Sequence, residues 1–346
     1  MKSLIFLLYL LWLYEAVFFV SAQIPNKVPL VGSYGHKNHG LEKKSNLDPK
    51  QNLTLTIVTG SWSNTKKVSS YYSSFKDLTL KDQTEMHVKI QASVASLSQV
   101  FNTSFIEYQC PNEKQKLLCF ASSSEVTIPV ELKSAILSIL GLEQILTFKP
   151  NVVLAKRVSR HGSNLKTSSN YDFFIPSDVA KIYNFPNSNG AGTRIGIVSL
   201  GGYFDQSDLQ DYFAEIGLDT PPTINLMSVD GAQMNYDANG ILENYLDIEI
   251  ISSLVPNATI NLFFAPNTIQ GLYDGIYFVL KMNDVASLSW ATNEDSGFLS
   301  YLSSFQALFE AYSNVPIFVA TGDQGAAGGV GFPAVCPNAI GFWFLN

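Results

Sequence analysis

Arg194-Ile195-Gly196-Ile197-Val198-Ser199-Leu200 is an apolar run of strand length, and it opens a rhythm that the chain keeps as far as Thr321. Asn225–Val229, Thr259–Ala265, Val285–Trp290 and Pro316–Thr321 are four more runs of the same kind. Between them, Ser207–Ile216 places Leu209, Tyr212, Phe213 and Ile216 on one helical face, and 241–255, 269–282 and 299–313 read as further helices. Strands that alternate with helices predict an α/β fold, a mainly parallel sheet covered on both faces. Ligand sites in such a sheet lie beyond the carboxyl ends of the strands. Gly190-Ala191-Gly192-Thr193-Arg194-Ile195-Gly196 precedes a strand instead of joining strand to helix, so it is not a dinucleotide loop.

Working towards the N-terminus, the composition changes. Residues 1–166 hold 19 Lys and Arg against 11 Asp and Glu, a net +8, while residues 167–346 hold 3 against 18, a net −15. The sharp asymmetry suggests a basic segment docked electrostatically on an acidic domain, a dock that protonation of carboxylates would weaken as pH falls. The basic residues are dispersed rather than clustered, which argues against nucleic acid as a partner. Lys156-Arg157-Val158-Ser159-Arg160-His161-Gly162, leading into Lys166-Thr167-Ser168-Ser169-Asn170, has linker composition and marks the boundary. Three regions follow: 1–22, 23–166 and 167–346.

Within the middle region Met86–Gln91 alternates like a half-buried strand, and Ser93 caps a predicted helix through Leu97 to Phe101. Phe105–Tyr108 and Glu125–Ile128 read as strands, and Ser134–Leu142 as a short apolar helix. Together these make a compact α+β module. Residues 23–80, rich in Ser, Asn, Lys and Thr, read as partly disordered. Residues 1–22 combine Lys2, an apolar run from Leu4 to Leu13 and the small-residue site Val20-Ser21-Ala22, the pattern of a cleaved secretory signal peptide. Glu15 interrupts the apolar stretch and argues against a stable membrane anchor. In the oxidising compartment this implies, Cys110 and Cys119, with eight residues between them, are compatible with a disulfide, and Cys336 is left over. Sequons at Asn52, Asn102 and Asn257 fit glycosylation there. The four His form no His-Glu-x-x-His motif, so no zinc site is expected.

The chemistry gathers on two stretches. Ile241–Val255 is a largely apolar helix, with Asn239 as a plausible cap and Pro256 as a stop. It stacks Glu243 and Asp247, four residues apart, on one face. Two acids so placed share a proton, and one pKa rises. Asp323 follows the apolar run Pro316–Thr321 in the Gly-bracketed turn Gly322-Asp323-Gln324-Gly325, where an α/β protein places a functional acid.

Five ordered motifs carry a resemblance. They are Val88–Phe105 with Phe101-Asn102-Thr103-Ser104-Phe105; Gly190-Ala191-Gly192 with Gly201-Gly202-Tyr203-Phe204; Glu243-Asn244-Tyr245-Leu246-Asp247-Ile248-Glu249 with Phe264-Ala265-Pro266; Ser287-Leu288-Ser289-Trp290; and Gly322-Asp323-Gln324-Gly325. Over residues 85–340 the chain resembles the sedolisins, or serine-carboxyl peptidases, a family with a subtilisin-like fold and a Ser-Glu-Asp triad. The resemblance implies an activation prodomain at 23–166 and the N-terminal part of a catalytic domain at 167–346. It also implies a secreted or lysosomal precursor that hydrolyses peptide or protein substrates at acid pH, restrained by its own prodomain. Glu243 would be the general base, Asp247 its charge-sharing partner and Asp323 an oxyanion donor. The family's nucleophile lies in a Gly-Thr-Ser motif well beyond the Asp323 position, followed by its calcium site. These 346 residues contain no Gly-Thr-Ser, so neither the nucleophile nor a cofactor is expected among them. Ala291, where the family usually has Gly, and the closing Ile340–Leu345 also depart from the pattern. The alternative is an inactive product acting as a propeptide-like binding or inhibitory protein.

Overall fold

The computed structural model describes residues 26–33, 41–110, 118–145, 148–150, 175–218, 222–293, 299–322, 329 and 331–342. Residues 1–22, the Lys156–Asn170 linker and Asp323 lie outside the described residues.

The first half contains β1 (Lys27–Pro29), β2 (Lys43–Asn46), β3 (Asn52–Val58), α1 (Trp62–Tyr72), β4 (Thr79–Gln83), β5 (His87–Ser93) and α2 (Val94–Phe101). It continues with β6 (Phe105–Tyr108), β7 (Cys119–Ser122), β8 (Thr127–Pro129), β9 (Ser138–Leu140) and β10 (Lys149–Pro150). Its centre is an antiparallel sheet in the order β4-β5-β3-β9. Leu55, Ile57, Val88 and Ile90 bury one face against Val68 and Tyr72 of α1 and Leu97 and Phe101 of α2. Ser93 caps α2 as predicted, its side chain accepting the Ser96 amide. Cys110 and Cys119 form the disulfide across the β6–β7 hairpin, with Cα atoms 5.3 Å apart.

Three readings of this half are corrected. Ser134–Leu142 is not a helix: a 3₁₀ turn at Val130–Leu132 leads into β9, because Ile139 and Leu140 serve opposite faces, a period-two demand no helix meets. The described part of 23–80 holds three strands and the start of a fourth, with α1 between, since Leu53, Leu55 and Ile57 supply the core its polar composition conceals. The polar face of β5 is not turned to water but covered by the second half: His87 is fully buried and Lys89 nearly so.

The second half runs α3 (Pro176–Ile182), β11 (Arg194–Ser199), α4 (Gln206–Glu215), β12 (Thr223–Ser228), α5 (Ala238–Leu254), β13 (Thr259–Phe264) and α6 (Ile269–Met282). It ends with β14 (Val285–Leu288), β15 (Trp290–Asn293), α7 (Leu299–Ala311), β16 (Ile317–Ala320), β17 (Gly331–Phe332) and β18 (Ala339–Phe342). Six of these strands make an all-parallel sheet in the order β12-β13-β11-β14-β16-β18. Successive strand residues serve opposite layers. Ile197, Ile260, Leu262 and Phe264 pack with Leu209 and Phe213 of α4 and Ile248 of α5, whereas Val198 and Phe263 pack with α6 and α7. The sheet is covered on both faces, as the apolar runs require.

Two details differ from expectation. Val285–Trp290 is not one strand. β14 ends at Leu288, the chain turns at Ser289, and β15 joins a separate antiparallel sheet β10-β15-β17. The closing segment supplies β18, the sixth parallel strand, whose Ile340 and Phe342 are exposed at the sheet edge.

Candidate active site

The helix α5 is anchored by its first turns. Asp237, not Asn239, is the N-cap, its carboxylate accepting the Asn239 amide. The chain leaving β11 turns through Gly201 and Gly202 directly under this end. Gly202 has φ +80°, and a Cβ there would lie 2.2 Å from the Gly240 carbonyl carbon. The glycine pair is thus required twice, for a left-handed turn and for backbone contact with a helix. Asn244 donates to the Gly201 carbonyl at 3.1 Å, and Asn235 accepts the Gly202 amide at 2.9 Å.

With α5 so fixed, Glu243 lies buried, 6% exposed, and Asp247 is half-buried one turn further on. Ser289, at the carboxyl end of β14, donates its hydroxyl to Asp247 Oδ1 at 2.8 Å. Burial pushes the Asp247 carboxyl up to about 7, against the pull of that hydrogen bond on the charged form. Burial thus favours the neutral form of Asp247, which lessens its repulsion of Glu243 one turn away. Trp290, 1% exposed, packs against Gly201, so β15 forms a wall behind the turn. β10 pairs antiparallel with β15, Lys149 opposite Ala291 and Pro150 opposite Trp290, and this extended strand lies beside α5.

The predicted pair is thus brought to the carboxyl-end side of the sheet. β16 ends at Ala320, three residues before Asp323, which is outside the described residues. Ser289 as partner of Asp247 and Asn244 as the tie to Gly201 were not recognised from sequence. Both act across some forty residues, and only the quoted Ser287–Trp290 and Glu243–Glu249 motifs pointed to their neighbourhoods. Asn52, Asn102 and Asn257 are all exposed. Cys336 is buried in the core shared by α6 and α7. Among the described residues no group of three or more His, Cys, Asp or Glu is placed to hold a metal ion, and no helix is long and apolar enough to cross a membrane.

A family model described as Pro-kumamolisin, activation domain, matches residues 57–145. Kumamolisin of Bacillus sp. (strain MN-32) is 29% identical over 268 residues, covering 72% of this chain and 48% of that protein. The chain spans about half the length of this curated relative. Among solved structures, a Pseudomonas sedolisin (serine-carboxyl proteinase) complexed with two molecules of pseudo-iodotyrostatin aligns with TM-score 0.40 at 22% identity, over 48% of this chain and 52% of that one. A mutant of the epidermin leader peptide processing serine protease from Staphylococcus aureus gives 0.41 at 11% identity, over 84% and 70%.

Proposed function

We propose that the chain, similar to kumamolisin and matched by the Pro-kumamolisin activation domain, is a sedolisin, or serine-carboxyl peptidase, family member that carries the activation prodomain (23–166) and the carboxylate half of the catalytic domain (167–346) of an acid-active, secreted or lysosomal peptidase precursor. The observation that supports this reading is the buried Glu243 one turn from Asp247, whose carboxyl burial pushes up, at the carboxyl ends of a parallel sheet. A histidine base is charged and useless well below pH 6.5, whereas a carboxylate still accepts a proton there. In this reading Glu243 takes the proton of a serine nucleophile, and Asp247, kept neutral by burial and oriented by Ser289, stabilises the arrangement. Asp323, held protonated, donates to the developing oxyanion. The nucleophile is not supplied by a Gly-Thr-Ser among these 346 residues, and without it the base has no acyl chemistry to drive.

A peptide substrate fits the geometry. β10 already pairs with β15 as an extended strand, the mode by which a sheet edge holds a peptide through its backbone. The signal-like residues 1–22, the Cys110–Cys119 bond and three exposed sequons support passage through the secretory pathway. The inhibitory alternative is less well supported, because the face the module would offer another protein is covered by α6 of its own chain. The test is to sequence the complete transcript and assay its product on a quenched peptide library between pH 3 and 7. An in-frame Gly-Thr-Ser, with acid activity abolished by Glu243→Gln, is expected. Absence of that motif, or activity indifferent to Glu243→Gln, would sink the proposal.

A further inference from the structure

The face of the module that meets the α/β unit is built by strand alternation. In β3 and β5, Leu53, Leu55, Ile57, Val88 and Ile90 point into the module core, so Thr56, Val58, His87 and Lys89 point the other way, onto α6. Val58, Met86, Leu140 and Phe148 join the apolar cluster of α6 and α7. Their burial, which removes apolar surface from water, supplies adhesion between the two halves. None of them responds to pH. The polar residues between them do.

Lys89 bridges Asp274 of α6, at 2.9 Å, and Asp230 beyond β12. Thr56 Oγ1 lies 3.4 Å from the same Asp274 carboxyl and accepts from Gln270 at 2.9 Å. His87, fully buried, stands against the rings of Tyr273 and Tyr277, with centroids 6.1 and 5.0 Å away. Among the described residues neither ring nitrogen has a partner within 3.5 Å; Asp82 Oδ2 of β4 lies 3.6 Å from Nε2. The charged and titratable groups around it are Asp82 on β4, Lys89 on its own strand, Asp230 beyond β12, and Tyr273, Asp274 and Tyr277 on α6. Glu85 and Lys281 follow at one remove, both touching the Tyr277 hydroxyl. Asp82, Lys89 and Asp230 line an open cleft of about 720 Å³ between the two halves, which gives solvent protons a way to the cluster.

We propose that His87 is the proton-sensing element of this interface: neutral and dry while the module is docked, it is charged on acidification and loosens the module from α6. The inference rests on reading the module as a guard of the carboxylate site. Burial holds the docked imidazole below its ordinary value, reinforced by Lys89 and opposed by Asp82 and Asp230. The sign follows. A pKa lower docked than undocked favours docking fully above about 6.5, and the advantage is lost as pH falls. Each unit of difference loosens the dock about tenfold on protonation.

The experiment is amide hydrogen exchange of the full chain between pH 7.5 and 4, followed in residues 87–93 and 269–282, with His87→Phe beside the unmodified protein. Both segments should lose protection together as pH falls, and His87→Phe should hold them closed to a lower pH. Identical midpoints in the two proteins overturn the role of His87. Protection unchanged down to pH 4 in both proteins overturns the reading of the module as an acid-released guard. If His87→Phe does not fold, the imidazole of His87 is titrated by NMR in ¹³C-histidine-labelled chain, assigned by replacing the other three His. A value below about 6.5 supports the proposal, and one above it overturns the proposal.

Discussion

The helices α5 and α6 lie on opposite faces of one parallel sheet, and each carries an aspartate that burial pushes upward, Asp247 on α5 and Asp274 on α6. Their partners differ. Asp274 is matched by a cation: Lys89 reaches it from β5 and is shared with Asp230, which leaves one carboxyl of the pair to hold a proton. Among the described residues Asp247 is matched by the Ser289 hydroxyl and by no cation, and its neighbour along the helix is another acid, Glu243. The first arrangement fastens two pieces of protein together. The second leaves a proton near neutrality that can be traded. Burial alone does not mark a site; the chemistry of the partner does.

This contrast can be broken at several points. The largest effect is expected from Gly202→Ala, which forces a side chain into a left-handed turn and against the Gly240 backbone. It should cost about 3 kcal/mol or more in urea unfolding and displace α5. A cost under about 1 kcal/mol would mean that the turn does not fix the helix. Lys89→Met comes next, at about 2–3 kcal/mol at pH 7.5, because two buried or half-buried acids lose their cation. That penalty should shrink as pH falls, since protonating the buried Asp274, whose carboxyl burial pushes up, removes uncompensated charge; a penalty that grew on acidification would refute the assignment.

Ser289→Ala is the smallest. The hydroxyl stabilises charged Asp247, so its loss should lift that carboxyl by about one unit further, read by ¹³C NMR titration. Asp247 has a higher pKa folded than unfolded. It therefore favours folding below about pH 4, and that advantage is lost as pH rises towards 7 and beyond in the variant. An unmoved titration would show that Ser289 does not act on Asp247.

Much of this was legible in the chain. The helix over 269–282 was placed to the residue, and five of the six parallel strands were found, because apolar runs and helical periods are local signals. The pair Glu243 and Asp247 was legible for the same reason, since four-residue spacing on a helix needs no tertiary information. The failures share a cause as well. Ser134–Leu142 was read as a helix because apolar content alone does not distinguish a short edge strand from a helix. β5 was read as half-exposed because alternation shows that two faces differ, not what covers the second one.

The sequence by itself determined which segments become strands and helices, that the basic and acidic halves are complementary, and that two carboxyls share a helical face. Only the tertiary structure decided that Ser289, forty-two residues away, meets Asp247 and that His87 and Lys89 are sealed beneath α6. The physical reason is range. Backbone periodicity and net charge are properties of neighbouring residues, whereas desolvation and a hydrogen bond across the fold exist only once distant segments have packed.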